Sequence, residues 1–175
     1  MLLGEGAVNK LQKARVAIFG IGGVGGYTLE ALARAGIGQL DLIDSDTVSR
    51  SNINRQILAT HSTVGMPKVA AARIRILDIN PECMVRTHQV FYTPETAGQF
   101  DFTDYDYIVD AIDTVTGKLA LVQAAQAAGT GILSCMGTGN KLDAAAFEVS
   151  DISKTTMCPL ARIVRKELGK RGIKH

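Results

Sequence analysis

The chain has 175 residues, of which 46% are hydrophobic and 21% are charged. These proportions suit one globular domain with a sizeable core and argue against a disordered protein. The cysteines Cys83, Cys135 and Cys158 form no CxxC pair, which argues against a disulfide framework and against a cysteine-rich zinc site. Since no signal peptide is evident and no apolar run approaches a membrane span of roughly 18 residues, we expect a cytoplasmic protein without a membrane segment.

The net charge of +2 is unevenly distributed along the chain. Residues 153–175 carry seven Lys or Arg and one acidic residue, a balance of +6, whereas the remaining residues carry 12 basic against 16 acidic residues. A basic segment on an acidic domain indicates a polyanionic partner such as nucleic acid. A solvated helix face would give the same pattern, so the charge alone leaves both interpretations open.

Apolar runs alternate with amphipathic segments along the chain, beginning with the strand-like run "RVAIFG". Strands are predicted at 15–20, 39–44, 84–91, 105–113, 131–137 and 146–152. Helices are predicted at 24–35, 68–79, 116–128 and 159–170, and a short helix opens at 93–95. This alternation predicts one domain over 1–175 with an α/β, Rossmann-like doubly wound fold: a mainly parallel sheet with helices on both faces.

A glycine-rich loop, "GIGGVGG", joins the first strand to the first helix. Gly20, Gly22 and Gly25 match the pattern GxGxxG, which lets the backbone approach a phosphate at a helix N-terminus. Asp44 ends the second strand, 19 residues beyond Gly25, where a carboxylate can accept hydrogen bonds from ribose hydroxyls. NAD sites and ATP sites share these features, so the loop alone does not distinguish them.

Charged residues at the same end of the sheet favour a triphosphate. Asn52, Arg55 and Gln56 follow the second strand, Lys68 lies near the start of the next helix, and Asp113 ends a later strand. Each residue alone could be a surface ion pair, a solvated side chain or a helix cap. An ATP triphosphate, with about four negative charges, needs cationic side chains and a metal. Together these residues therefore predict an ATP site in which Asp113 holds Mg²⁺.

Several motifs resemble the ubiquitin-activating-enzyme-like superfamily of ThiF, MoeB and HesA proteins: "GIGGVGG", "LIDSDTVSRSNINRQ", "VGMPK" and "DAIDT". Over nearly the whole chain the sequence is similar to the tRNA threonylcarbamoyladenosine dehydratases, as in "FYTPE", "YDYIVDAIDTVTGK" and "DISKTTMCPLARIVRKELGKRG". The resemblance implies adenylation of a carboxylate by ATP, followed by cyclisation with net loss of water. It also implies a modified tRNA as substrate, a homodimer, and sulfur-transfer proteins as further partners.

The resemblance assigns roles to the candidate residues. Arg55, Lys68 and Asp113 are expected to be catalytic, and Asp113 to be the metal ligand. The residues expected to bind the nucleotide are Gly20, Gly22, Gly23 and Gly25 at the phosphates, Asp44 at the ribose, and Asn52, Arg55, Gln56 and Lys68 nearby. Family members usually continue for tens of residues after "KRGIK", so we expect this chain to lack the C-terminal part of the family's domain.

Two other functions remain open. A sulfur-carrier adenylyltransferase of the thiamin or molybdopterin type would use the same nucleotide chemistry, although that branch often carries two CxxC pairs. An NAD-binding Rossmann oxidoreductase would use the glycine loop and Asp44, but it leaves Arg55, Lys68 and Asp113 without a joint role.

Overall fold

A five-stranded parallel sheet forms the centre of the computed structural model, which describes residues 4–174. The strands are β1 (Arg15–Phe19), β2 (Gln39–Ile43), β3 (Met84–His88), β4 (Tyr107–Asp110) and β5 (Gly131–Ser134). Their spatial order is β3-β2-β1-β4-β5, and every neighbouring pair is parallel. β1 is therefore the central strand, and the chain moves from it to β2 and β3 on one side and then to β4 and β5 on the other.

Helices cover both faces of this sheet, which confirms the predicted fold class. They are α1 (Gly4–Lys13), α2 (Gly23–Arg34), α3 (Lys68–Ile79), α4 (Val115–Ala128) and α5 (Pro159–Lys170). Helices α2 and α3 pack on one face, α4 packs on the other, and α5 packs against α4. None of these helices is long and apolar enough to cross a membrane.

The two faces of the sheet bury different kinds of side chain. The face under α2 and α3 is aliphatic, with Ile18, Leu40 and Leu42 fully buried. The opposite face holds an aromatic cluster around Phe19, whose ring centroid lies 4.9 Å from that of Tyr92 and 5.4 Å from that of Phe100. These aromatic residues share one buried cluster with Leu121 and Ala125 of the helix on this face.

The order of the strands places a crevice at the carboxyl ends of β1 and β4. Helix α2 leaves β1 toward one face, and α4 leaves β4 toward the other. Such a switch in direction opens the crevice in which ligands of open α/β sheets bind. The polar loops after β1, β2 and β4 all converge on this end.

The predicted strand at 146–152 is wrong. Three-residue 3₁₀ helices, Ala144–Ala146 and Ile152–Lys154, flank an irregular stretch, and all of 138–151 is exposed. The apolar residues that alternate in "AFEVSDI" therefore have no buried surface to pack against, and no strand forms. The short helix expected at 93–95 is a turn followed by the 3₁₀ helix Ala97–Gln99, and α1 was not predicted because it has no fully buried residue.

Candidate functional site

A cleft of about 650 Å³ lies at the carboxyl ends of the central strands. The glycine loop after β1 and the loops after β2, β4 and β5 form its walls, and Leu160 at the start of α5 closes one side. Its volume is in the usual range for small-molecule and cofactor sites. Every predicted site residue except Gly25 lines it: Gly20, Gly22, Gly23, Asp44, Asn52, Arg55, Gln56, Lys68 and Asp113.

The glycines of the loop meet different structural requirements. Gly20 has a φ of +90°, and a Cβ added to it would lie 2.7 Å from the backbone carbon and oxygen of Ala111, so no side chain fits there. Gly22 is the N-cap of α2 and provides no side-chain cap, which leaves first-turn N–H groups of the helix open to the cleft. Gly25 lies behind the loop, where a Cβ would come within 1.8 Å of the Gly20 carbonyl oxygen.

Asp44 holds the loop in shape. Its Oδ2 accepts a hydrogen bond of 2.7 Å from the amide of Ile21, and its Oδ1 accepts one of 2.8 Å from the amide of Asp46. Hydrogen bonds to an ionised carboxylate are stronger than neutral ones. Asp44 is therefore part of the wall and a support of the glycine loop at the same time.

Lys68 is the buried cation of the cleft. Its side chain is 8% exposed, and its Nζ lies 2.7 Å from Asp46 Oδ2 and 3.9 Å from Asp44 Oδ2. The sequence analysis did not single out Asp46, because many polar residues follow the second strand and none of them is distinguished by the pattern. The pair with Asp46 keeps the ammonium of Lys68 at the cleft wall.

Arg55 is the exposed cation of the cleft. Its Nη1 donates to the Ser51 carbonyl oxygen at 3.2 Å and to Asn54 Oδ1 at 2.9 Å. None of the residues described between 4 and 174 places a carboxylate in an ion pair with it. Arg55 thus lines the cleft with a charge that no described carboxylate neutralises.

Two amide side chains support the same wall. Asn52 Oδ1 accepts a hydrogen bond of 3.0 Å from the amide of Ser49 and so stabilises the turn that carries Arg55. Gln56 is buried, and its Nε2 would lie 3.8 Å from a Cβ on Gly22. Gln56 therefore packs directly against the glycine loop.

Asp113 projects into the cleft from the loop after β4 and is exposed. Within the described part of the chain no cation forms an ion pair with it, and no group of three or more His, Cys, Asp or Glu side chains is placed to hold a metal by itself. Protein Mg²⁺ sites commonly use one or two carboxylates together with phosphates of the substrate. Asp113 suits that kind of site.

A buried ionic network lies beneath the loop that carries Asp113. Asp110 and Lys118 have fully buried side chains, and Lys118 Nζ lies 3.0 Å from Asp110 Oδ1. The same ammonium donates to the Cys135 carbonyl oxygen at 2.6 Å, while Ser134 Oγ and the Ile112 amide donate to Asp110. This network joins the ends of β4 and β5, which are two walls of the cleft.

Burial shapes the protonation of this region. The low-polarity surroundings raise the pKa of Asp110, and the charge of Lys118 and the hydrogen bonds of Ser134, Lys118 and Ile112 offset part of that rise. Burial, with a smaller contribution from Asp110, raises the pKa of Tyr92 to about 12. The Tyr92 hydroxyl finds no hydrogen-bond partner within residues 4–174.

Sequence reasoning did not find this network. Asp110 lies inside a predicted strand and Lys118 inside a predicted helix, where hydropathy treats a charge as a surface residue. The available signal was the pair of carboxylates in "VDAID", of which only Asp113 was considered. The burial of Lys118 depends on how α4 packs under the loop, which no periodicity in one segment reveals.

Comparison with known proteins agrees with this geometry. The ThiF family model matches residues 1–171. The tRNA threonylcarbamoyladenosine dehydratase of Bacillus subtilis (strain 168) is 44% identical over 174 residues, which are 99% of this chain and 68% of that protein. An adenylyltransferase and sulfurtransferase of Vanderwaltozyma polyspora is 38% identical over 132 residues, which are 75% of this chain and 30% of that protein.

Solved structures also place this chain among the dehydratases. The Escherichia coli tRNA N6-threonylcarbamoyladenosine dehydratase in complex with ATP superimposes with a TM-score of 0.93 at 40% identity, over 95% of this chain and 69% of that chain. The fold and the cleft thus define a Rossmann-like domain of the adenylating class. The chain belongs to the ThiF family, in the branch that contains the tRNA threonylcarbamoyladenosine dehydratases, which confirms the predicted resemblance. It spans about two thirds of the length of those relatives.

Proposed function

We propose that the cleft binds ATP with Mg²⁺ and adenylates the carboxylate of threonylcarbamoyladenosine in tRNA, which then cyclises with net loss of water. The observation that carries the proposal is the meeting of the glycine loop with Arg55, Lys68 and Asp113 in one cleft. Relatives named as dehydratases of this nucleoside, one of them solved with ATP, support it.

The cleft fits a triphosphate better than a pyrophosphate alone. The glycine loop and the open first turn of α2 can hold two phosphate charges. Arg55 lines the same cleft without a described carboxylate partner, and Lys68 lies there beside Asp46, so an NAD pyrophosphate alone would leave the charge of Arg55 uncompensated. Asp44 keeps acceptor capacity on both carboxylate oxygens for the ribose hydroxyls.

Arg55 and Lys68 carry the main part of the proposed catalysis. When a carboxylate oxygen attacks the α-phosphorus, charge builds on the phosphate oxygens, and preorganised cations in a shielded cleft stabilise it. Lys68 is already oriented by Asp46, so little reorganisation is needed. Mg²⁺, when held by Asp113, supplies further charge neutralisation at the phosphates.

The proposed reaction has two steps. In the first, the carboxylate oxygen forms a bond to the α-phosphorus, the bond to the bridging oxygen breaks, and pyrophosphate leaves. In the second, a nucleophilic atom of the same threonylcarbamoyl group attacks the acyl carbon and loses its proton to solvent, and AMP leaves with the former carboxylate oxygen. No general base is required for the first step because a carboxylate is already ionised at neutral pH.

Further properties remain proposals that rest on family resemblance: a homodimer, a cytoplasmic location, and sulfur-transfer proteins as partners. Adenylation of a small sulfur-carrier protein is the second candidate function. The similarity to an adenylyltransferase and sulfurtransferase favours it, whereas the higher identity to dehydratases and the basic C-terminal segment favour tRNA.

The test is to incubate the protein with ATP and either threonylcarbamoyladenosine-modified tRNA or a small sulfur carrier. We expect AMP and pyrophosphate only with the tRNA, and a nucleoside lighter by one water.

Arg55→Gln should lower the rate by about 10²-fold because it removes a stabilising donor. Arg50→Gln is the matched control, since Arg50 lies in the same loop but does not line the cleft. Release of ADP and phosphate would contradict the proposal.

A further inference from the structure

The basic residues near the C-terminal end are not equivalent, because several are engaged within the protein. The half-buried Arg165 donates through Nη1 to the carbonyl oxygens of Ile152 at 3.3 Å and Thr155 at 2.8 Å. It therefore ties α5 to the preceding segment. Its Nη1 is occupied by these acceptors, and its side chain is less exposed than those of Arg162 and Lys166.

Two other basic residues of this region share one carboxylate. Lys170 Nζ lies 2.6 Å from Glu167 Oε1, and Arg171 Nη1 donates to the Glu167 carbonyl oxygen at 2.7 Å and lies 3.2 Å from its Oε2. Glu167 thus offsets part of the positive charge at this end of α5. Within α5, the charge that no described carboxylate compensates therefore lies nearer the start of the helix.

Arg162 and Lys166 supply that charge. Both are exposed, and neither side chain forms a hydrogen bond or an ion pair with any of residues 4–174. Residues four apart on a helix lie on the same face with Cβ atoms about 6 Å apart. The opposite face of α5, with Ala161, Val164 and Leu168, is buried, so the two charges point away from the protein core.

This charged pair begins beside the cleft. Leu160, two residues before Arg162, lines the cleft wall together with Gly137 and Thr138 from the loop after β5. The amino end of α5 therefore forms part of the rim of the cleft, and Arg162 follows within one turn of it, on a different side of the helix from Leu160. A substrate that places a carboxylate in the cleft and carries negative charge outside it would meet both features.

We propose that Arg162 and Lys166 bind phosphates of the RNA substrate beside the nucleotide cleft, while Arg165 positions α5 for this contact. This inference rests on the proposed function, because it takes the macromolecule at the cleft to be tRNA. Phosphate contacts position an RNA without reading its sequence and make its binding depend on salt. A membrane surface is a poorer fit, because the apolar face of α5 is packed on α4 and cannot enter a lipid layer as an interfacial helix would.

The test compares the double variant Arg162→Gln/Lys166→Gln with Lys10→Gln/Lys13→Gln in the full 175-residue chain. Lys10 and Lys13 are also exposed and close together on one helix. They lie far from the cleft, because α1 ends at the amino side of the sheet, where the Leu11 carbonyl oxygen accepts a hydrogen bond from the Gly38 amide. Anisotropy of a fluorescent tRNA is measured across a salt series without ATP.

Loss of two phosphate contacts should reduce the slope of log K against log salt by about 1.4 to 1.8, and weaken binding roughly tenfold at low salt. The α1 double variant should keep the wild-type slope. An unchanged slope in the α5 variant, an equal fall in both variants, or no RNA binding by the wild type would each overturn the proposal.

A second readout separates this inference from the proposed function. The α5 double variant should bind ATP as the wild type does, and in the AMP-release assay it should raise the KM for tRNA while leaving kcat unchanged. If RNA binding falls as expected but no AMP forms in the wild type, the proposed reaction fails and the RNA surface stands. If AMP forms and the KM for tRNA does not change, the RNA surface fails.

Discussion

Asp41 and Asp110 are two carboxylates with no exposed surface on strands of the same sheet, yet their pKa values move in opposite directions. Asp41 lies in the middle of β2, and Asp110 lies at the end of β4 beneath the cleft. Neither side chain is exposed, but Asp110 is the more deeply buried, so the difference comes from the depth of burial as well as from the partners.

Asp41 is surrounded by donors. Burial pushes its pKa up, but two hydrogen bonds from Arg15, at 2.8 Å and 3.1 Å, and one of 3.0 Å from His88 Nε2 outweigh this and lower it. The guanidinium of Arg15 also stacks on Tyr105, 4.9 Å from the ring centroid. This cluster joins β1, β2 and β3 at a distance from the cleft, and its role is stability.

Asp110 has one cation, and Lys118 divides its hydrogen bonds between that carboxylate and a carbonyl at the cleft wall. Burial therefore prevails and raises the pKa of Asp110. A buried ion pair of this kind is seldom the most stable solution for a core. The contrast indicates that the Asp110 network is maintained to hold the cleft loops, whereas the Asp41 network holds the sheet.

The largest effect is expected from Lys118→Met. It leaves the buried carboxylate of Asp110 without a cation and should cost about 3–5 kcal/mol in the free energy of unfolding, measured by urea denaturation. The double variant Asp110→Asn/Lys118→Met, which removes both charges, should recover most of that loss.

ATP binding by the double variant sharpens the contrast. Lys118 donates to the Cys135 carbonyl oxygen at the cleft wall, and no other described residue donates to that oxygen. We therefore expect the double variant to bind ATP more weakly in calorimetry even after its stability returns. A double variant that recovers both stability and ATP affinity would show that the network has no bearing on the cleft.

A smaller effect is expected from Arg15→Met. Asp41 keeps its bond with His88 and the nearby Arg86, at 3.7 Å, so the cost should be about 2 kcal/mol in urea denaturation. ATP affinity should stay at the wild-type value because Arg15 lies outside the cleft lining. A fall in ATP affinity as large as that of the Lys118 variants would remove the distinction between the two networks.

The pH dependence of the stability of Arg15→Met tests whether Asp41 is the partner through which Arg15 stabilises the fold. The pKa of Asp41 is lowered in the folded state, so its contribution is fully present above the unfolded value of about 4 and is lost as the pH falls through the folded pKa. The stability difference between wild type and Arg15→Met should therefore narrow on acidification below pH 4. A difference that stays constant down to pH 2 would mean that Asp41 is not the partner that matters.

These two networks also mark the limit of what could be predicted. The five strands of the sheet, the glycine loop and the chemistry-bearing residues after β2 and β4 followed from local patterns, because period and turn residues are properties of one segment. The strands predicted at 84–91, 105–113 and 131–137 nevertheless run three residues past the ends of β3, β4 and β5. The Asp110–Lys118 pair and the Lys68–Asp46 pair join positions 8 and 22 residues apart through packing. No local pattern specifies such pairs.

The predicted strand at 146–152 failed for the complementary reason. Its alternation is real in the sequence, but Val149 is 88% exposed, and Phe147 lies half in solvent. A strand needs a neighbour as well as a pattern. By contrast, α5 was predicted with its observed bounds because its apolar stripe does pack, on α4.

Calorimetry with ATP in Mg²⁺ buffer, set beside NAD in the same buffer, tests most directly whether the cleft is a triphosphate site. We expect binding of ATP, weaker binding by Arg55→Gln, wild-type binding by Arg50→Gln, and no binding of NAD. Tight NAD binding without ATP binding would contradict an adenylating function and would leave Arg55, Lys68 and Asp113 as structural residues around a dinucleotide loop.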